Sequence, residues 1–383
     1  MLFHPFEIAF CGYSGSGKTT LIAGVVRHLS AKLSIAYYKH GCHRFAIDRE
    51  GKDSWTVREA GAATVMISDP EKKAVVTRHS ATSPQLERHV FADADLLLVE
   101  GLKELPLPKL LVVDAERRIV ELVSNGTLAN VIALVVPDDP ASYASFGIPV
   151  LQRDSVSAIA SFIESFVLDH SLQEHPLYGL VLAGGRSSRM GSDKALIAYH
   201  ADNQLVHTAS LLQQQCSNVF ISCREEQAGA YHNFGIPLIT DTYLGIGPMG
   251  GLLSAQQARP DAAWVVAACD LPFLDEAIVE QLCSQRNPMR FATAFRNSQS
   301  GRIEPLCACY EPKSRNRLIL RHIEGNNSLS SFLDNARIEE LTLHNSGALQ
   351  NINDPAGTRR LWVQAGGSGG GEGEREICER KGC

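Results

Sequence analysis

The chain has 383 residues, and at about 150 residues per domain this length predicts two domains, with three as the alternative. Its 44% hydrophobic and 20% charged residues are typical of a globular protein with full-sized cores and exclude a disordered class. A net charge of −6 argues against a nucleic-acid partner, because phosphate-backbone binding needs a basic face. No apolar run approaches the roughly 18 residues of a spanning helix, so we expect no membrane association. We also expect no secretion signal, and the ten scattered cysteines without a CxxC pair favour a reducing cytoplasm.

Short apolar runs alternate with helical stretches along nearly the whole chain, which is typical of α/β architecture with a mostly parallel sheet. Two of the runs lead into glycine-rich loops that contain a lysine, namely FEIAFCGYSGSGKTTL at 6–21 and YGLVLAGGRSSRMGSDKAL at 178–196. We therefore predict two doubly wound, three-layer nucleotide-binding domains. The expected boundaries are 1–168 for the first domain, 169–176 for a polar linker, 177–365 for the second domain and 366–383 for a disordered tail rich in glycine and charge.

The first glycine loop fits the pattern GxxxxGK[ST] and predicts a P-loop NTPase fold. Its small residues let backbone N–H groups converge on phosphates, while Lys18 reaches the β and γ oxygens and Thr19 offers a hydroxyl to magnesium. The predicted nucleotide-binding residues of this loop are Gly12, Gly15, Ser16, Gly17, Lys18, Thr19 and Thr20.

A second acidic group is expected near the magnesium, at the end of another buried strand. The run DLLLVEG places Glu100 at such a strand end, and a strand-capping glutamate is the alternative interpretation. The guanine-reading sequence [NT]KxD is absent from this half of the chain, so the loop pattern alone leaves ATP and GTP open.

The segments KH…H…DREGKDS…REAGA and LLLVEGLKELPLPK make residues 5–165 resemble MobB, the P-loop family of molybdopterin-guanine dinucleotide biosynthesis. The resemblance implies GTP binding with slow hydrolysis, a homodimer formed through this domain, and assistance to a partner enzyme. Molybdoenzymes or their chaperones are further expected partners. We favour a nucleotide-controlled adaptor over a productive GTPase, because no residue is identified that positions a hydrolytic water.

The second glycine loop lacks the GK[ST] helix start, and its composition is typical of a nucleotidyl-transfer site. Gly184 and Gly185 permit close backbone approach to base and ribose. Arg186, Arg189 and Lys194 bring positive charge to a triphosphate and to the pyrophosphate that leaves it.

The most apolar strand-like run of the chain, AWVVAACDLPF, carries Asp270 near its C-terminal end. Open α/β sheets bind ligands at that edge, and a carboxylate close to a triphosphate is a magnesium ligand in the functional interpretation. The alternative is that Asp270 caps the helix that LDEAIVEQL is expected to form.

The segments LAGGRSSRMGSDKAL, TDTYLGIGPMGG, CDLPFL, RIEPLCACY and NINDP occur in the order of the MobA guanylyltransferases, so residues 176–365 resemble that family. The resemblance implies a Rossmann-like nucleotidyltransferase fold and magnesium-dependent transfer of GMP from GTP to molybdopterin or its molybdenum-loaded form. It assigns the nucleoside to Leu182, Ala183, Gly184, Gly185 and Asp241, phosphate to Lys194, Mg²⁺ to Asp270, and the acceptor side to Asn351 and Asn353.

One position departs from the family, which often has asparagine where this chain has Cys223. A thiol is a weak hydrogen-bond donor, so the nucleoside contact is either lost there or taken by Ser222 or Arg224.

We therefore predict a MobB–MobA fusion in which Asp270, Lys194 and Arg189 are the catalytic residues. The acceptor phosphate is already anionic, so positioning and charge neutralisation suffice without a protein nucleophile. The alternative is another nucleotidyltransferase of the same fold, acting with CTP or on a sugar phosphate.

Overall fold

The computed structural model of the chain describes residues 2–40, 50–77, 85–183, 203–343 and 347–349. The chain divides into two compact units, Met1–His170 and Ser171–Cys383. Each unit is built on a mainly parallel sheet with helices, which confirms the predicted α/β class. Within the described ranges, every helix is too short or too polar to cross a membrane.

The N-terminal unit has a six-stranded sheet among its described residues, in the order β2-β5-β1-β6-β7-β8, with every neighbouring pair parallel. Strands β3 and β4 pair separately as an antiparallel hairpin. The strands are β1 (Glu7–Cys11), β2 (Ile35–Lys39), β3 (Thr64–Ser68), β4 (Lys73–Thr77), β5 (Leu96–Glu100), β6 (Lys109–Val112), β7 (Val131–Val136) and β8 (Val150–Gln152). The helices are α1 (Lys18–Leu29), α2 (Asp53–Glu59), α3 (Gln85–Phe91), α4 (Arg118–Ser124) and α5 (Val156–Glu174), with a 3-10 helix at Pro140–Phe146.

Helices cover both faces of this sheet. Helix α1 packs against β1 and β5 through its buried residues Leu21, Ile22, Val25 and Leu29, which recur at helical spacing. On the other face, Ala9 and Leu97 pack in one hydrophobic cluster with Ile119 of α4 and Tyr143 of the 3-10 helix. The unit is therefore three-layered, as predicted from the sequence.

The stretch 169–176, which we expected to be a polar linker, is helical as far as Glu174 because α5 continues through it. The sequence there has no glycine or proline before Pro176, and a proline disfavours helical geometry in the residue that precedes it. Polarity alone therefore did not identify the end of this helix. The predicted tail at 366–383 lies outside the described residues.

The C-terminal unit has a seven-stranded sheet in its described part, in the order β11-β10-β9-β12-β14-β13-β15. Strand β14 runs antiparallel to both neighbours, and the other pairs are parallel. The strands are β9 (Leu177–Leu182), β10 (Asn218–Cys223), β11 (Leu238–Thr240), β12 (Ala263–Ala268), β13 (Ala292–Asn297), β14 (Ile303–Tyr310) and β15 (Ile338–Leu343). The helices are α6 (Gln204–Gln213), α7 (Glu225–Tyr231), α8 (Pro248–Ala258), α9 (Glu276–Ser284), α10 (Ser314–Ile323) and α11 (Leu329–Asn335), with a 3-10 helix at His232–Phe234.

Alternate residues of the central strands face two separate hydrophobic clusters, because side chains of a strand alternate between its faces. Val181 and Val265 pack with Leu212 of α6 in one cluster. Leu180 and Val266 pack with Leu252 of α8 in the other. The central strands are consequently apolar on both faces, and their functional side chains lie at the strand ends.

Candidate functional site

The first glycine loop forms a tight turn between β1 and α1. Gly15 and Gly17 have φ values of 80° and 86°, in the left-handed region that favours glycine. A Cβ atom at Gly12 would come within 2.6 Å of the carbonyl oxygen of Val112, so the neighbouring strand also requires glycine there. The turn leads directly into the N-terminus of α1, where unpaired backbone N–H groups favour an anion.

Glu100 lies buried at the end of β5 and is surrounded by donors. Thr19 Oγ1 donates to both of its carboxylate oxygens at 3.0 Å, Tyr37 OH donates at 2.7 Å, and Lys39 Nζ is 3.0 Å away. Burial raises the pKa of Glu100, but the hydrogen bonds from these three side chains outweigh it and hold the pKa below its ordinary value. The structure therefore brings Thr19 and an ionised Glu100 together.

Tyr37 and Lys39 are functional candidates that the sequence reasoning missed. They are alternate residues of β2 and so share a face, and the parallel pairing with β5 sets Lys39 opposite Glu100. Nothing in the local sequence indicates this pairing, because β2 and β5 are separated by more than fifty residues of chain.

The P-loop lysine is held close to its own loop. Lys18 Nζ donates to the carbonyl oxygen of Tyr13 at 2.7 Å and lies 3.5 Å from Ser16 Oγ. Arg118 lies over the Tyr13 ring at 4.7 Å, and its Nε donates a 2.8 Å hydrogen bond to Asp114 Oδ2. Several cations thus surround the loop, which suits a polyanionic ligand.

In the C-terminal unit, backbone pairing brings the strand ends to one edge of the sheet. Leu182 stands in register with Ser222 on one side and Ala268 on the other. Just beyond, Ala183 N donates to the Ser222 carbonyl at 3.0 Å and Asp241 N to the Cys223 carbonyl at 2.9 Å. Leu182, Ala183 and Asp241, the described residues among those predicted to hold the nucleoside, therefore lie along one edge.

Asp241 is positioned by the strand beside it. Ser222 Oγ donates to Asp241 Oδ1 at 2.7 Å. Burial raises the pKa of Asp241, although the Ser222 hydrogen bond and the charge of Arg224 oppose the shift. A Cβ at Gly251 would come within 2.3 Å of Ser222 Oγ and 2.8 Å of Leu182 Cδ2, so glycine keeps room beside this pair.

Cys223 lies on the opposite side of β10 from Ser222. Its thiol is fully buried in a hydrophobic cluster, and burial raises its pKa to about 11. Arg224 precedes α7 and pairs with Glu226 at 3.3 Å. Ser222, one of the two replacements considered for Cys223 from the sequence, is thus hydrogen-bonded to Asp241, while the choice between Ser222 and Arg224 for the nucleoside contact stays a prediction.

Asp270 follows β12 at the same edge, and Glu304 of the neighbouring strand β14 is close enough for the charge of Asp270 to act on it. The antiparallel ladder between these strands pairs Ala267 with Cys307, three residues before Asp270 and three residues after Glu304. Burial raises the pKa of Glu304, a hydrogen bond from Leu306 N at 2.9 Å opposes this, and the charge of Asp270 raises it further. Sequence reasoning missed Glu304 because only the pairing of β12 with β14 brings it to the site.

The helix-cap alternative for Asp270 is wrong for α9. That helix is capped by Asp275, whose carboxylate accepts a hydrogen bond from Ile278 N at 2.9 Å. Asp270 is five residues earlier, in the turn that follows β12.

The carboxyl groups of Asp270 and Glu304 are the kind of oxygen ligand that a hard cation bound together with a nucleotide requires. In the described part of the chain, no three His, Cys, Asp or Glu side chains cluster into a cage. Magnesium usually takes one or two carboxylates and completes its shell with substrate phosphates and water. Asp270, with Glu304 near it, supplies oxygen ligands of that kind.

Six of the predicted site residues lie outside the described residues, and their roles stay predictions. They are Gly184, Gly185, Arg189, Lys194, Asn351 and Asn353.

Two family models match this chain, one in each of its two compact units. Residues 179–341 match the model of the MobA-like NTP transferase domain, and residues 7–137 match that of molybdopterin guanine dinucleotide synthesis protein B.

Three relatives illustrate the similarity. The chain is 34% identical over 184 residues to the molybdenum cofactor biosynthesis bifunctional protein of Synechocystis sp., covering 48% of this chain and 53% of the relative. It is 38% identical over 111 residues to the molybdopterin-guanine dinucleotide biosynthesis adapter protein of Haemophilus influenzae, covering 27% and 61%. It is 33% identical over 190 residues to the molybdenum cofactor guanylyltransferase of Yersinia pseudotuberculosis, covering 49% and 94%. The chain thus spans about half of the bifunctional relative's length and about three fifths of the adapter's.

Proposed function

We propose that the C-terminal unit of this chain makes molybdopterin guanine dinucleotide, since the chain belongs to the molybdenum cofactor guanylyltransferase family. A MobB domain precedes the guanylyltransferase domain in the chain. The unit transfers GMP from GTP to the phosphate of molybdopterin and releases pyrophosphate. The observation that carries this proposal is the convergence of Leu182, Asp241 and Asp270 at one edge of the sheet.

The proposed reaction is an in-line displacement at the α-phosphorus of GTP. An oxygen of the acceptor phosphate forms the new bond to phosphorus, and the bond from phosphorus to the oxygen bridging the β-phosphate breaks. The electron pair leaves with pyrophosphate, so no protein nucleophile and no redox partner are needed.

Each predicted residue has a place in this scheme. Asp270, with Glu304 near it, would hold Mg²⁺, whose charge when bound offsets that of the triphosphate. Asp241, kept in place by Ser222, binds the nucleoside together with the strand end at Leu182 and Ala183. The remaining assignments are Gly184 and Gly185 to base and ribose, Arg189 and Lys194 to the phosphates, and Asn351 and Asn353 to the acceptor.

For the N-terminal unit we propose a GTP-binding adaptor in which Thr19 and Glu100 would hold the Mg²⁺ that accompanies the nucleotide. The name of the Haemophilus influenzae relative supports the adaptor role. We propose molybdoenzymes or their chaperones as partners, homodimerisation through this unit, and a cytoplasmic location. Productive GTP hydrolysis by this unit is the alternative.

The transfer activity is tested with the full chain, molybdopterin, Mg²⁺ and GTP labelled at the α-phosphate. Asp270→Ala is expected to lower formation of labelled dinucleotide by about 10²-fold or more. The exposed Asp261→Asn is the matched control and should retain the wild-type rate. Full transfer by Asp270→Ala with Mg²⁺ present would show that the site is misassigned, and preferential turnover of CTP in competition would favour the cytidylyltransferase alternative.

A further inference from the structure

We infer that Arg153 is a second phosphate-contacting cation of the N-terminal P-loop, beside Lys18. The inference rests on the proposed binding of GTP in this unit, and it names a residue of that site outside the loop motif itself.

Arg153 lies next to the last residue of the loop. It follows β8 directly, and its Nη1 atom is 4.0 Å from the position that a Cβ of Gly17 would occupy. Gly17 immediately precedes Lys18, where the loop passes into α1. A guanidinium therefore lies at the helix end of the loop, where backbone N–H groups already favour an anion.

The backbone that carries Arg153 is fixed on both sides. Arg153 N donates to the Val136 carbonyl at 2.8 Å, which ties it to the end of β7, and Ser155 N donates to the Gln152 carbonyl at 3.0 Å. Three residues further on, Val156 Cγ1 lies 3.2 Å from the position of a Cβ at Gly24, so the start of α5 packs closely on α1. The base of the side chain thus has a set position relative to the loop.

The guanidinium of Arg153 differs from its neighbours in having no protein partner among the described residues, although the residue is half-buried. Arg118 is paired with Asp114 and Arg117 with Asp138. A half-buried guanidinium gives up part of its hydration, and a bound anion restores the lost hydrogen bonds. Its planar set of five donors matches phosphate oxygens, whereas Lys18 acts as a point charge.

The test is a calorimetric titration of the full chain with GTP and with GDP, in which Lys18→Ala identifies the N-terminal site. Arg153→Gln is expected to weaken binding at the Lys18-dependent site about 10-fold or more for both nucleotides, because the variant loses charge-assisted hydrogen bonds to phosphate. The Lys18-independent site should keep its affinity. Arg27→Gln, on the exposed side of α1, is the matched control and should bind as the wild type does.

The possible failures are distinguishable. If the wild type has no Lys18-dependent site, the proposed GTP binding of this unit is wrong. If the wild type has that site and Arg153→Gln binds both nucleotides with unchanged affinity, the inference about Arg153 is wrong and the proposed function stands.

Discussion

Ser222 donates a 2.7 Å hydrogen bond to Asp241, across the ends of the adjacent strands β10 and β11. This bond connects the fold to the proposed nucleoside site, because Ser222 also stands in register with Leu182 of β9. The bond holds the Asp241 carboxylate at the sheet edge where we propose that the nucleoside binds, even though burial raises the pKa of Asp241. We therefore expect the proposed role of Asp241 to come at some cost in stability, which can be measured.

We predict that Asp241→Asn lowers GTP transfer strongly yet leaves the free energy of unfolding at pH 7 equal to, or about 0.5–1 kcal/mol above, that of the wild type. The asparagine still accepts the bond from Ser222 and carries no charge to bury.

The difference in the free energy of unfolding between Asp241→Asn and the wild type should change with pH in one direction. A carboxyl whose folded pKa is raised destabilises the native state when ionised, so its cost is absent below the unfolded pKa of about 3.9 and complete above the folded pKa. Urea unfolding across this window should show the advantage of the Asn variant growing as the pH rises. An advantage that shrinks with rising pH would contradict the assignment.

We predict that Gly251→Ala impairs GTP use, because its Cβ would lie 2.3 Å from Ser222 Oγ and so displace the side chain that holds Asp241. The KM for GTP is expected to rise about 10-fold, and overpacking should cost about 1–3 kcal/mol of stability. Steady-state kinetics and denaturation measure the two effects.

Gly229→Ala is the matched control for this substitution. Gly229 is in the short helix α7, and nothing lies within 4 Å of its Cβ position. This variant should keep its KM and gain stability of up to about 1 kcal/mol, since alanine favours helix. Equal kinetic effects of the two variants would argue against crowding at Ser222 as the cause.

We predict that Glu311→Gln destabilises the C-terminal unit by about 3–5 kcal/mol. Arg286 donates to both carboxylate oxygens of Glu311, from Nε at 2.7 Å and from Nη2 at 2.8 Å, and the side chains of Arg286 and Glu311 are only 3% and 0% exposed. The substitution leaves a buried guanidinium without its counter-charge. Chemical denaturation of the full chain, followed by a probe in the C-terminal unit, measures the loss.

The exposed pair of Arg296 and Glu340 is the control, since it has similar bond lengths of 2.6 and 2.7 Å but lies in solvent. Glu340→Gln should cost less than about 1 kcal/mol, because solvent screens exposed pairs. Comparable losses in both variants would contradict burial as the origin of the effect.

The sequence predicts well those features that local patterns determine. The GK[ST] pattern indicates a helix start, and α1 begins at Lys18. The apolar runs before Glu100 and Asp270 are predicted to be strands, and they form β5 and β12. Each of these depends on neighbouring residues only, namely a glycine turn or a run of buried side chains.

The contacts that complete the sites depend on strand order, which no local pattern contains. Glu304 comes near Asp270 because β14 runs antiparallel beside β12, and Lys39 pairs with Glu100 because β2 lies beside β5. Arg153 lies beside Gly17 although more than 130 residues separate them in the chain. The sequence also did not determine on which face of β10 the Cys223 side chain lies, because a shift of one residue along a strand exchanges its two faces.

We propose that this chain has two separate GTP sites and that only the second transfers a nucleotide. Equilibrium binding of GTP in the presence of Mg²⁺, measured for the wild type and for Lys18→Ala, distinguishes two sites from one. We predict two equivalents of GTP per wild-type chain and one for Lys18→Ala, with the variant still making dinucleotide from GTP and molybdopterin. A single equivalent in the wild type that disappears in Lys18→Ala would contradict it.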